Sequence, residues 1–203
     1  MLGLPSSTEV NRRVAKEKFY ANGAMTTQVR DRIKDQIESI IWRNKLADST
    51  MGIAAGETVK EIQVFEVVLR QRELDKRVLV AIVKAIPYKL VFVLSFGDEA
   101  QVWMETSGAF YNTAWLLQTE LTLQFAGLNL DAMYDNLVRQ IAAGRLDGAR
   151  EVAEAVELDK QRQKLERDIA TLEKKILSEK QFNRQVELNG ELKRLRAVLE
   201  ELK

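Results

Sequence analysis

Ile62-Gln63-Val64-Phe65-Glu66-Val67-Val68-Leu69, then Glu73 to Ile86, then Tyr88-Lys89-Leu90-Val91-Phe92-Val93-Leu94-Ser95-Phe96, decide the fold. The first run is β-branched and aromatic and is apolar at both parities, as a strand buried on both faces requires. The middle segment repeats its apolar residues at helical spacing and stops at Pro87, which cannot continue a helix. The last run is a second strand. Downstream, Gly97-Asp98 turns the chain into Ala100–Thr106, and Ser107-Gly108 turns that into Phe110–Leu116. Leu121, Leu123 and Phe125 alternate with Thr122 and Gln124 and predict a further strand. Asn129 or Asp131 opens a helix to about Ala143, and Gly144 and Gly148 punctuate its exit. Strand, helix and strand followed by hairpins give an α/β (α+β) class: a mixed sheet of about five strands with helices packed on at least one face.

Upstream, Ser6-Ser7-Thr8-Glu9 has the form of a capping box and predicts a helix to about Lys18. Asn22-Gly23 is a turn signal. Thr26 or Thr27 caps a second predicted helix, reaching Trp42 with a stripe of Val29, Ile33, Ile37, Ile40 and Ile41.

After Gly148 the chain changes character, which divides it into a body, 1–148, and a tail, 149–203. The tail has no proline, one glycine and one aromatic residue. Leu158, Leu165 and Leu172 recur every seven residues, with Ile169 and Ile176 in the complementary position. Leu188, Leu195 and Leu202 do the same, with Leu192 and Leu199 between them. These are two coiled-coil stretches that do not share a register. The slip falls at Ser178–Arg184, so the tail is either one interrupted helix or an αα-hairpin. The hairpin is favoured, because a lone helix would leave its seam in water. Each fully buried seam residue is worth about 1.5–3 kcal/mol, so a covering surface is needed. It can be the tail's own second half, a second copy of the chain, or another protein.

Composition narrows the chemistry. Cysteine and histidine are both absent, which removes a disulfide framework, a Cys/His zinc site, a cysteine nucleophile and a Ser-His-Asp triad. Net charge is +1, distributed as +4 over 1–46, −3 over 47–150 and zero over 151–203. Met1-Leu2-Gly3-Leu4-Pro5 is no signal segment, and the apolar run Val78–Phe96 contains Lys84, Pro87 and Lys89, so no membrane span is expected and the chain reads as cytoplasmic. The catalytic candidates are the sheet acids Glu66, Asp98 and Glu105. A Mg²⁺-dependent nuclease wants an acid, a spacer and a lysine on one strand, and neither Glu61 nor Glu66 is followed by that lysine. Glu66 among valines calls instead for a partner such as Arg43 or Arg70. Gly52 and Gly56 lack the Lys-Ser/Thr pair of a phosphate loop and read as turn residues. Arg12, Arg13, Lys16 and Lys18, on the first predicted helix beside Phe19 and Tyr20, are nucleic-acid candidates. No cofactor or metal site is expected.

Six collinear strings carry a resemblance: Thr8-Glu9-Val10-Asn11-Arg12, Lys16-Glu17-Lys18-Phe19-Tyr20, Ile41-Trp42-Arg43-Asn44-Lys45-Leu46, Glu61-Ile62-Gln63-Val64-Phe65, Lys84-Ala85-Ile86-Pro87-Tyr88 and Glu179 through Asn189. They resemble a family of bacterial and archaeal proteins known as a domain of unknown function, often encoded beside helicases and DNA methyltransferases of restriction or phage-defence loci. The resemblance covers the tail as well as the body and brings no catalytic motif. It implies an accessory role. The expectation is therefore a non-enzymatic adaptor whose C-terminal helices bind a copy of itself or a helicase- or methyltransferase-type protein. The alternative is a divergent Mg²⁺-dependent nuclease or a DNA-binding subunit.

Overall fold

The computed structural model describes residues 2–20 and 25–202; the turn expected at Asn22-Gly23 lies outside them. The chain divides into two compact units, Met1–Gly144 and Arg145–Lys203.

The body is built on one mixed sheet. Strands β1 (Glu9–Val14), β2 (Ile37–Leu46), β3 (Ile62–Leu69), β4 (Lys89–Phe96), β5 (Glu99–Thr106) and β6 (Ala109–Asn112) lie side by side in chain order, and the short β7 (Leu116–Leu117) also pairs with β5. All neighbours are antiparallel except β3 and β4. That parallel pair needs a crossover, and helix α4 (Lys76–Ala85) provides it. Every β3 residue but Val68 is buried, which is why its sequence is apolar at both parities.

On one face of the sheet, Phe65, Val67, Leu69, Phe92 and Leu94 share a core with Val29 and Ile33 of α2 (Thr27–Gln36) and with Val78, Leu79 and Ile82 of α4. The opposite parity carries Val64, Glu66, Val91, Val93, Val102 and Met104, matched across the strands by the register. Helix α5 (Leu130–Ala142) packs against β5 and β6 and buries Leu130, Met133, Leu137 and Ile141. Side chains close the helix starts as their sequences demand. Thr26 accepts from the Val29 N–H, Asp75 from Arg77 and Asn129 from Ala132.

The N-terminal reading requires correction. The predicted helix over Ser6–Lys18 is a 3-10 turn at Ser6–Thr8, then strand β1, then the short helix α1 (Glu17–Tyr20). The predicted helix to Trp42 stops at Gln36, and Ile37 starts β2. Ile33 and Ile37 are fully buried in both settings, so the apolar spacing is genuine, but Ile37, Ile40, Ile41 and Trp42 are β-formers and pair with β3. No strand forms over Leu121–Phe125; Thr122 makes only an isolated bridge to Leu2. Gly52, at φ +64°, ends the short helix α3 (Asp48–Met51).

The second unit is an antiparallel pair of helices, α6 (Val152–Ser178) and α7 (Phe182–Glu201). By helical rise they are about 40 and 30 Å long. Glu179 builds the turn between them. Its carboxylate accepts from the Lys180 and Gln181 N–H groups at 2.8 and 3.0 Å, and its carbonyl accepts from the Gln185 side chain at 2.7 Å.

Candidate functional site

The hairpin closes most of its seam on itself. Ile169, Leu172, Leu188 and Leu192 are buried together, and Ile176, Leu195 and Leu199 pack against them. Arg196 and Glu173 tie the two helices with a 2.7 Å ion pair. The heptad slip is thus the point where the chain reverses: each stretch keeps its own register because each is one arm. Leu158, Leu165 and Leu202 lie outside this cluster and are half-buried. The long-heptad residues therefore divide into seven that meet and three that do not.

The most exposed apolar side chains of the hairpin lie at its turn end, with Val198 less exposed toward the other end of α7. Leu177, Phe182 and Val186 are 86%, 75% and 56% exposed. Phe182 and Val186 are one helical turn apart and share a face, while Leu188 and Leu192 point into the seam. Ile176 packs in the seam and Leu177, one residue on, turns about 100° away from it. Arg184 and Glu187 pair beside them. These three residues fall off the heptad positions and so lie outside the seam that the heptads mark. The signal was present as the apolar residues left over.

The sheet acids are not brought together. Glu66 is buried in the middle of β3, where the Arg43 Nε donates to its Oε2 at 2.6 Å, Arg43 Nη2 contacts the same oxygen, and Ser95 Oγ donates to Oε1 at 2.9 Å. Glu66 lies opposite Val93, and Val93 opposite Val102, so these three share a face. Glu105 is three residues on from Val102 and points to the other face. Its carboxylate accepts from the Gly108 N–H in the hairpin turn. Asp98 lies in the β4–β5 turn, beyond the Phe96–Glu99 pair and five residues along from Val93, the β4 partner of Glu66. Among the described residues, no group of three or more Asp or Glu could hold a metal ion.

The basic residues do not share a helical face either. Arg12 and Arg13 are consecutive on β1, so their side chains diverge. They stand on the outermost strand of the sheet, where charge discourages pairing with a foreign edge. Lys16 donates to the Ile37 carbonyl, which also accepts from Arg70 Nε at 3.3 Å. Burial, and then the neighbouring Arg70 charge, lower the Lys16 pKa. Lys18 sits on α1.

One loop does cradle an anion, and the anion is internal. The backbone N–H groups of Glu57 and Val59 donate to the Asp131 carboxylate at 2.6 and 2.7 Å, and the Thr58 hydroxyl donates at 2.8 Å. These bonds, the Thr58 hydroxyl first, hold the Asp131 pKa below its ordinary value. Gly56 is required there, because a Cβ would lie 2.3 Å from the Asp131 carboxyl carbon. Of the two glycines that lack a phosphate-loop lysine, Gly56 thus leaves room for the carboxylate by which the loop before β3 is pinned to the start of α5.

The chain belongs to the family described as Domain of unknown function (DUF4391), whose profile it matches over residues 2–199. No curated protein and no solved structure matches it. No helix among the described residues is long and apolar enough to cross a membrane.

Proposed function

We propose that this protein is an accessory subunit, and that it acts by docking the turn end of its C-terminal hairpin onto a larger protein. The observation that supports this is the exposed group Leu177, Phe182 and Val186, held at the end of two helices whose seam is satisfied internally. A hairpin with a closed seam does not need a partner to stay folded. Its exposed tip needs one to leave water, and burying three such side chains is worth about 1.5–3 kcal/mol each. An exposed Phe flanked by charges of both signs has the make-up of an interface anchor with a polar rim. The partner class proposed is a helicase or DNA methyltransferase of a restriction or phage-defence locus, in keeping with the family resemblance of the sequence.

The test is co-expression with the helicase and methyltransferase encoded beside the gene, followed by purification through a tag on this chain. The wild type retains one of them; the Phe182→Asp/Val186→Asp variant does not. Loss of the partner in Glu66→Gln, with retention in the tip variant, would refute the proposal.

A further inference from the structure

A cavity of about 330 Å³ opens on the sheet face that carries Glu66. Val64 and Val93, which share that face, supply its apolar lining together with Leu2 and Leu4 of the N-terminal segment. The backbone around it is irregular in three places. Arg43 is the extra residue of a bulge, since Trp42 pairs with Phe65 and Asn44 with Val64. The register slips again in β1, between Glu9 and Arg12, and within that slip Asn11 holds φ +46°. Leu2 holds φ +61°, in the region that favours glycine. Bulges that re-aim side chains, and residues kept in the left-handed region, collect at binding sites.

Here they align a string of polar groups. Glu66 holds Arg43 from below, Arg43 Nη1 donates to Asn11 Oδ1 at 3.2 Å, and Asn11 Nδ2 donates to Glu9 Oε2 at 3.1 Å. Asn44 Nδ2 donates to Thr8 Oγ1 at 2.8 Å. Among the described residues, Glu9 Oε1 and Asn44 Oδ1 have no partner. Each amide nitrogen and each terminal guanidinium nitrogen carries a second N–H. The cavity therefore presents a carboxylate, then an amide donor, then a guanidinium donor, beside aliphatic side chains. Its charges disfavour an anion. Glu66 neutralises Arg43, and Glu9 adds a negative charge, while Arg13, farther along β1 and opposite Ile41, does not line the cavity.

A matching ligand is uncharged, donates to Glu9, accepts from Asn11 and Arg43, and offers apolar surface to the valines and leucines. A bare cation would leave the donors and the apolar lining unmatched. The Watson–Crick edge of guanine meets all three demands in one plane: N1–H and the 2-amino group donate, O6 accepts, and the ring faces are apolar enough for aliphatic contact. Adenine offers that edge one donor too few, and cytosine one donor and two acceptors, so each strands a polar group. We infer that this cavity binds a guanine-type edge, as carried by a guanine nucleoside or a pterin, with Glu9 and Asn11 reading it. The inference is independent of the proposed docking by the hairpin, which uses a different unit of the chain.

Titration calorimetry of the full chain with guanosine, pterin, adenosine and cytidine tests it. Guanosine or pterin binds saturably, with a dissociation constant below about 1 mM, and whichever binds more tightly identifies the source of the edge. Adenosine and cytidine bind about tenfold more weakly or worse. Glu9→Gln removes one acceptor from an exposed side chain and weakens binding about tenfold at unchanged melting temperature. Asn11→Gly adopts the positive φ freely, so it keeps the fold while removing the amide, and it weakens binding as well. Phe182→Asp, at the hairpin tip, binds as the wild type does. Failure of both guanosine and pterin to bind overturns the inference. So does adenosine or cytidine bound as tightly as they are, or undiminished binding in Glu9→Gln and Asn11→Gly.

Discussion

The Arg43 guanidinium meets the Glu66 carboxylate inside the body, Nε 2.6 Å from Oε2, with Ser95 on the other carboxylate oxygen. The two partners differ in burial: the Glu66 side chain is 6% exposed and that of Arg43 36%. The carboxylate is the member that cannot be left alone.

Removing Arg43 therefore costs more than neutralising Glu66. Arg43→Met strands a buried carboxylate and is expected to cost about 3–5 kcal/mol. Glu66→Gln keeps the shape and an acceptor for Ser95, and is expected to cost about 1 kcal/mol. Urea denaturation of both variants measures the difference. Equal costs would show that burial of the carboxylate does not govern this site.

The Asp131 cradle predicts a non-additive pair. Gly56→Ala forces a Cβ into the carboxylate and is expected to cost about 1–3 kcal/mol. Asp131→Ala leaves the Glu57 and Val59 N–H groups without their acceptor and costs about 1–2 kcal/mol. In the double variant the added methyl occupies space the carboxylate has vacated, so its cost falls below the sum. A double-mutant cycle by chemical denaturation reads this directly.

Asp75 gives the body a defined acid sensitivity. The Arg77 side chain beside it, together with the Arg77 N–H it caps, draws its pKa from 3.8 down to about 2. A carboxylate with a lowered folded pKa stabilises the fold above its ordinary value and loses that stabilisation as pH falls toward the folded one. Wild-type stability should thus decline between about pH 4 and 2 more steeply than that of Asp75→Asn. The variant keeps the cap, since asparagine also accepts the Arg77 N–H, but loses the ion pairs with Arg77 and Arg32, and should be less stable at neutral pH by about 0.2–1 kcal/mol. Unfolding free energies across that range decide the matter; parallel curves would contradict it.

Within the tail, Leu172 and Leu165 occupy equivalent heptad positions but unequal surroundings. Leu172 is buried in the seam cluster and Leu165 is half-buried outside it. Leu172→Lys should therefore loosen the hairpin far more than Leu165→Lys. Helical signal lost on heating distinguishes them, and equal effects would mean the seam extends the full length of α6.

The strands of the body were legible where one parity rule decided them. β3, β4 and β5 could be read within a residue or so because their apolar runs are bounded by Pro87, Gly97-Asp98 and Ser107-Gly108. The N-terminal forty residues were not, because Val29, Ile33, Ile37 and Ile40 satisfy helical spacing while the last two belong to a strand. Only pairing with β3, a long-range contact, breaks that tie. The capping-box pattern at Ser6–Glu9 misled for a related reason: a cap signals a helix only if the residues after it are free to form one, and Glu9–Val14 are held by β2. Glu66 was recognised in sequence as needing an arginine, and Arg43 takes that place. The separation of Glu66 from Glu105 was hidden, because it depends on strand register across β3, β4 and β5. The heptads announced a seam, yet the residues proposed to act are those the heptads exclude.

Hydrogen exchange on the complex with the co-purified partner tests the central claim most directly. Docking by the hairpin tip predicts added protection over residues 177–186, with the amides of β3 and β4 unchanged. Protection confined to the body, with Leu177, Phe182 and Val186 exchanging as in the free chain, would contradict it.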